Sequence, residues 1–97
     1  MAQFRLTMQA EEDFDGIGAY TVETRGLNQA TKYLTKLDQT FAALAHRPAL
    51  GKDRSDLRAN LLSCPCNKHV VFFRRDAEDN VEILRILHER MDFARHL

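Results

Sequence analysis

The residues best suited to acid–base chemistry lie near the end of the chain. His88 closes a stretch that favours a β-strand, with Arg85 before it and Arg90 and Asp92 just after it. An imidazole titrates near neutral pH, so a histidine at a strand end acts as an acid or base when a neighbouring group orients it. The alternative, which we favour, is that His88 has a structural role or contacts a partner.

Three arginines form a second candidate site. Arg58, Arg74 and Arg85 fall on three stretches that we expect to be neighbouring strands. A guanidinium group clamps a carboxylate or a phosphate through paired hydrogen bonds, so these residues would suit an acidic partner. They would equally suit ion pairs within the chain. The carboxylates available for such pairs are Glu82, Asp76 and Asp79.

The other polar side chains favour structural roles. His46 closes a helix, where an imidazolium suits the negative end of the helix dipole. We expect His69, at a strand start, and His96, near the C-terminus, to be surface residues, because neither has a partner close in sequence that would mark it as a base. The sequence has no glycine-rich phosphate loop, nucleophile elbow or pair of metal-binding histidines, so we expect neither a metal nor a cofactor.

Length and charge limit the class of protein. Ninety-seven residues suit a single domain, residues 1–97, and 14 Lys and Arg balance 14 Asp and Glu. No global field therefore attracts nucleic acid or an anionic membrane, although the second half of the chain carries a local excess of basic residues. There is no run of 18 apolar residues, and we expect the protein to be cytoplasmic.

The first half of the chain predicts a strand and two helices. Alternation from Gln3 to Thr7 favours a short strand, and apolar spacing from Ala10 to Thr21 favours a helix over about 8–24. After Gly26, we expect Asn28 to cap a second helix whose apolar stripe continues to Ala45. Pro48 and Gly51 end it and open a polar loop over residues 47–56.

The second half predicts an antiparallel meander. We expect strands over 57–64, 69–74 and 81–88, with turns at 65–67 and 76–80, and an irregular or short helical tail over 89–97. The apolar runs of the last two strands indicate little exposure on either face. The predicted fold is α+β, in the order β-α-α-β-β-β, with an antiparallel sheet packed against a helical hairpin.

The ordered set of these segments resembles the ParE-type toxins of the RelE/ParE toxin–antitoxin superfamily. The similarity includes the hairpin stretches Ala10–Tyr20 and Gln29–Leu37, then Asp56-Leu57-Arg58 and His69–Arg74. The closing run Arg85-Ile-Leu-His-Glu-Arg-Met-Asp92 is its most specific part. The resemblance covers nearly the whole chain and implies the same β-α-α-β-β-β fold.

The resemblance also implies function and partners. ParE-type toxins poison DNA gyrase by binding it and are neutralised by a ParD-like antitoxin, commonly a DNA-binding protein with an acidic C-terminal segment. We expect the antitoxin to bind Arg58, Arg74 and Arg85. We place the gyrase-binding surface on the charged and apolar residues beyond the last strand, which are His88, Glu89, Arg90, Met91, Asp92 and Phe93. Alternatively, Met91, Phe93 and Leu97 only cover an open end of the core.

Two other functions stay open. The RelE branch cleaves messenger RNA on the ribosome with a basic cluster and a tyrosine or histidine near the C-terminus. Here the equivalent residues would be His88, Arg85, Arg74 and Arg58, and no tyrosine follows Tyr33. The third possibility is a homologue that has lost toxicity and acts only as an antitoxin-bound corepressor.

Overall fold

A computed structural model describes residues 3–97 as a sheet covered by a helical hairpin. The elements in chain order are β1 (Phe4–Leu6), α1 (Met8–Arg25), α2 (Leu27–His46), a 3-10 turn (Pro48–Leu50), β2 (Lys52–Asp53), β3 (Leu62–Cys66), β4 (His69–Arg75), β5 (Val81–His88) and α3 (Phe93–His96). Met1 and Ala2, which the expected domain includes, lie outside the described residues. The predicted α+β order is confirmed, and β2 is an additional strand within the expected polar loop.

The sheet is mixed, which corrects the expectation of an antiparallel one. The strands lie in the order β1-β5-β4-β3-β2. The pairs β2–β3, β3–β4 and β4–β5 are antiparallel, but β1 pairs in parallel with β5, with Phe4 opposite Val81. Alternation of polar and apolar residues in β1 determines which side chains face the core, but it contains no information on strand direction.

A single residue separates the two helices. The Thr7 hydroxyl caps α1 by accepting a hydrogen bond from the amide of Ala10 at 3.1 Å. Gly26 both ends α1 and precedes α2, with φ of 89°, a backbone angle that glycine adopts without a steric cost. The prediction that Asn28 caps α2 is wrong, because α2 begins at Leu27 and has no side-chain cap.

The hairpin buries one face of the sheet. Leu37, Phe41 and Leu44 of α2 are fully buried or nearly so, and they pack in one cluster with Val71 and Ile83 of the sheet. Because apolar side chains recur along one stripe of α2, the helix presents a continuous surface to the strands. The predicted packing of the hairpin across the sheet is therefore confirmed.

The opposite face is covered by a loop and by the chain end. A second cluster of Leu61, Phe72 and Leu87 packs against Leu57 of the loop and Phe93 of α3. Residues 54–60 form turns rather than the start of a strand, so the predicted strand over 57–64 is wrong at its N-terminal end. Asn60 has φ of 62°, a left-handed conformation that interrupts an extended strand.

None of the helices within residues 3–97 is long and apolar enough to cross a membrane.

Candidate functional site

Arg85 is held inside the protein rather than presented on the sheet. Its guanidinium Nε donates to Asp13 Oδ2 at 2.8 Å, and Nη1 donates to the backbone carbonyl of His96 at 2.7 Å. The side chains of Arg85 and Asp13 are only 18% and 15% exposed. The hydrogen bond to Asp13 raises the pKa of Arg85. Arg85 therefore links α1 to α3 across the end of β5.

Arg74 is also paired within the chain. Its Nε donates to Glu82 Oε1 at 2.7 Å, and Arg5 donates to the other oxygen of the same carboxylate at 2.9 Å. The hydrogen bond from Arg74 is the main reason that the pKa of Glu82 is lowered, and the one from Arg5 adds to it. Of the alternatives left open by the sequence, an internal ion pair with Glu82 is the one observed for Arg74.

Arg58 does not lie on a strand, which corrects its predicted position. It lies in the exposed loop before β3, where its amide donates to the Arg54 carbonyl at 3.2 Å. Among residues 3–97 its side chain forms no salt bridge. Arg58, Arg74 and Arg85 therefore do not form one cluster of arginines on neighbouring strands.

The C-terminal run has two kinds of residue. Glu89, Arg90, Met91 and Asp92 are exposed, whereas the Phe93 ring packs edge-on against Phe72 with centroids 4.9 Å apart. The Arg54 guanidinium carbon lies 5.7 Å from the Phe93 centroid. Phe93 therefore covers the second face of the sheet, as the alternative for this residue predicted, while Met91 stays 36% exposed.

A cluster of Tyr33, His69 and His88 lies where the hairpin meets the end of the sheet. His69 and His88 are directly opposite each other on β4 and β5, and their rings meet edge-on at 5.3 Å. The Tyr33 hydroxyl lies 2.5 Å from His69 Nδ1. Burial and then the neighbouring His88 lower the pKa of His69, and burial raises the pKa of Tyr33. Both groups are therefore held in their neutral forms.

This cluster opens into a cleft of about 880 Å³, which we call the histidine cleft. Its lining includes Tyr20, Arg25, Tyr33, Lys68, His69 and His88. A smaller and more apolar hollow of about 260 Å³ shares Tyr20, His69 and His88 with it and continues to Met91. Of the predicted site residues, His88 and Met91 therefore lie at this surface, whereas Arg58, Arg74 and Arg85 do not.

Sequence reasoning missed His69 and Tyr33. The prediction that His69 is a surface residue is wrong, because it is half-buried and contacts both Tyr33 and His88, which are distant in sequence. The available signal was the alignment of two predicted strands, one that starts and one that ends in histidine, since antiparallel pairing can place such residues opposite each other.

Within residues 3–97, no three His, Cys, Asp or Glu side chains converge as metal ligands.

The fold is similar to that of a chain in a solved structure. A structure described as the chromosomal ParDE toxin–antitoxin system from P. aeruginosa superposes with a TM-score of 0.78, at 21% identity, over 91% of this chain and 96% of that one. At this level of identity the likeness shows the fold alone.

Sequence similarity shows the family. The family model described as "ParE toxin of type II toxin-antitoxin system, parDE" matches residues 4–93. The chain is 36% identical to Toxin ParE1 of Caulobacter vibrioides over all of its length and 99% of the relative. It is 38% identical to Toxin ParE of Escherichia coli, again over all of its length and 94% of the relative. The chain therefore belongs to the ParE toxin family of type II toxin–antitoxin systems.

Proposed function

We propose that this protein inhibits DNA gyrase by binding it, in the cytoplasm, and that a ParD-like antitoxin neutralises it. The observation that carries the proposal is the match to the ParE family over residues 4–93, together with full-length similarity to proteins named Toxin ParE. Inhibition by binding needs a surface rather than a catalytic constellation. An exposed segment anchored at both ends would provide such a surface.

The run from His88 to Phe93 has these properties. His88 ends β5 and is half-buried, and Phe93 is fixed against Phe72. Between them, Glu89, Arg90, Met91 and Asp92 are exposed. We therefore assign contact with gyrase to these four residues, with His88 and Phe93 holding the segment in place.

For the antitoxin we propose binding at Arg58, Arg74 and Arg85. The three side chains differ in exposure and in their ion pairs. Arg58 is exposed and has no carboxylate partner within residues 3–97, so an acidic antitoxin segment would pair with it directly. The Arg74 side chain is 49% exposed but already contacts Glu82. Reversing the charge of Arg58 tests antitoxin binding cleanly, because reversing that of Arg85 would also break its pair with Asp13.

The main alternative is a ribosome-dependent messenger RNA endonuclease. Such an enzyme needs cations beside its acid or base to stabilise the phosphate. The candidate cations Arg74 and Arg85 are paired with Glu82 and Asp13, and Arg58 lies on the loop that covers the opposite face of the sheet. This separation favours the binding proposal. A non-toxic corepressor is the remaining alternative, and induced expression without antitoxin tests it by growth arrest.

The decisive experiment compares the two targets with the same protein preparation. Toxin freed from its antitoxin is assayed for inhibition of gyrase supercoiling and for trapped DNA breaks, beside a ribosome-programmed messenger RNA cleavage assay. We expect gyrase inhibition with intact messenger RNA, weakened by Met91→Ala and unchanged by His46→Asn, a variant at an exposed helix end. Codon-positioned RNA cuts that disappear in His88→Ala would overturn the proposal.

A further inference from the structure

The charged side chains that line the histidine cleft are basic. The 14 basic and 14 acidic residues of the sequence balance, yet the cleft lining contains Arg25 and Lys68 and no carboxylate. Two acidic residues lie nearby. Asp13 lines the smaller hollow but is already paired with Arg85. Glu89 is exposed and lies outside the cleft lining. The cleft therefore favours an anionic ligand.

One histidine has a hydrogen-bond donor fixed for such a ligand. The backbone amide of Arg90 donates to His88 Nδ1 at 3.2 Å, so the neutral ring carries its proton on Nε2. Within residues 3–97, His88 Nε2 has no hydrogen-bond partner. The same arrangement argues against a metal, because a metal-bound Nε2 requires the proton on Nδ1.

An exposed aromatic ring lies beside these polar groups. Tyr20 lines the cleft and is 67% exposed, whereas the adjacent Thr21 is buried. Exposed aromatic rings next to cations are typical of sites that stack nucleic acid bases. The cleft volume of about 880 Å³ lies within the range of small-ligand sites.

We propose that the histidine cleft binds nucleoside phosphates, either free nucleotides or units of a single strand. Lys68 and Arg25 neutralise the phosphate, and His88 Nε2 donates a hydrogen bond to it. The Tyr20 ring stacks on the base. This site is distinct from the proposed antitoxin-binding arginines and is tested without gyrase or antitoxin.

The test is equilibrium binding of three probes to the purified full chain at low salt. The probes are adenosine monophosphate, a short labelled single-stranded DNA and inorganic phosphate. We expect saturable binding of the nucleotide, the strand or both, and the one that binds more tightly identifies a free nucleotide or a polymer as the ligand. Absence of saturable binding of both the nucleotide and the strand would overturn the proposal.

Variants at three positions of the cleft lining separate the roles of the individual side chains. Tyr20→Ala should weaken nucleotide binding roughly fivefold or more, since stacking on an aromatic ring contributes at this level, and should leave phosphate binding unchanged. Lys68→Ala should weaken the binding of all three probes. It should also reduce, by about 0.7, the slope of the logarithm of the strand-binding constant against the logarithm of the salt concentration. His88→Ala should also weaken the binding of all three probes, because alanine has no side-chain hydrogen-bond donor.

The matched controls are Lys36→Ala and His46→Ala, which make the same changes at exposed positions of α2 outside the cleft lining. Equal losses in Lys68→Ala and Lys36→Ala would contradict the proposed site. Equal loss of phosphate and nucleotide binding in Tyr20→Ala would contradict stacking. Gyrase inhibition measured on the same variants tests the proposed function separately, because the binding assay contains no gyrase.

Discussion

At the scale of single residues, the Asp13 carboxylate joins α1 to β5. It accepts hydrogen bonds from Arg85 Nε at 2.8 Å and from the backbone amide of Ile86 at 2.9 Å. Asp13→Ala would leave a largely buried guanidinium without its carboxylate and the Ile86 amide without this acceptor, although Arg85 would keep its hydrogen bond to the His96 carbonyl. We expect a loss of about 2 kcal/mol or more in the free energy of unfolding, measured by urea denaturation.

Arg75→Ala is the matched control for Asp13→Ala. Arg75 pairs with Asp79 on the surface, where the side chains are 51% and 71% exposed. Exposed pairs contribute little, so this variant should change the free energy of unfolding by less than about 1 kcal/mol. Similar losses in the two variants would show that burial does not distinguish the two ion pairs.

His69 predicts a pH dependence of stability. Burial and the neighbouring His88 lower its pKa in the folded protein, whereas the unfolded chain has the ordinary value of 6.5. As the pH falls through that value, the unfolded state takes up a proton first, so the free energy of unfolding decreases. The charged or titratable groups around His69 are Asp13, Tyr33, Lys68, His88 and Glu89.

Urea midpoints measured from about pH 7.5 to about pH 5.5 test this pH dependence above the range of most carboxylates. The midpoint should fall with pH in the native sequence, and the fall should be smaller in His69→Asn. His96→Asn, at an exposed position of α3, should keep the native slope. An unchanged slope in His69→Asn would exclude His69 as its source.

The histidine cluster shows how much of the site could be predicted from the sequence. His88 was identified because its neighbours Arg85, Arg90 and Asp92 are close in sequence. Tyr33 and His69 are brought together only when α2 packs against the end of the sheet, and no local pattern shows that contact. For the same reason, the partners of Arg74 were anticipated on the adjacent strand, but the pairing of Arg85 with Asp13 of α1 was not.

At the scale of elements, Gly51→Ala and Gly16→Ala should have opposite effects on the free energy of unfolding. A Cβ at Gly51, after the 3-10 turn, would lie 2.3 Å from Phe73 Cζ and 3.2 Å from Leu62 Cβ. Gly51→Ala should therefore lower the free energy of unfolding by about 1–3 kcal/mol through overpacking. A Cβ at Gly16 in α1 would meet nothing within 4 Å.

Gly16→Ala should therefore stabilise the protein by about 0.5–1 kcal/mol, because alanine loses less backbone entropy in a helix than glycine. Thermal melts of the two variants beside the native protein measure both effects. Stabilisation by Gly51→Ala would contradict the close approach of the turn to β4. Destabilisation by Gly16→Ala would contradict the open space on α1.

The C-terminal segment contains one residue that stabilises the fold, Phe93, and one that is exposed, Met91. Phe93→Ala removes the ring that packs on Phe72 and should lower the free energy of unfolding by about 2 kcal/mol, less than for a fully buried phenylalanine. Met91→Ala should leave stability within about 0.5 kcal/mol and weaken gyrase inhibition. Denaturation and supercoiling assays on the same two proteins test this. Unchanged inhibition by Met91→Ala would remove Met91 from the proposed gyrase surface.

The elements themselves were predicted with differing success for physical reasons. The apolar stripe of α2 and the apolar runs of β4 and β5 are long enough to indicate helix and strand directly. The two-residue strand β2 has no such pattern, because both of its residues are exposed. The start of β3 was placed too early, since Leu57 is held by turns against the second face of the sheet rather than by strand pairing.

At the scale of the whole molecule, the even charge balance makes association depend on local charge. With 14 basic and 14 acidic residues, no net field attracts an acidic antitoxin from a distance. The exposed Arg58 lies on the loop that covers one face of the sheet, whereas Lys36 lies on the hairpin that covers the other. The same reversal of charge at these two positions therefore compares two sides of the molecule.

Arg58→Glu should slow association with the antitoxin at low salt and weaken the complex, and the difference in association rate should shrink as salt is added, since exposed charges mainly affect the rate of encounter. Lys36→Glu should have a smaller effect, because the proposed acidic segment pairs with arginines away from α2. Stopped-flow or surface-binding kinetics over a salt series measures both variants. Equal slowing in both would mean that the antitoxin responds to the total charge of the toxin, and the assignment of its binding site to Arg58 would then be wrong.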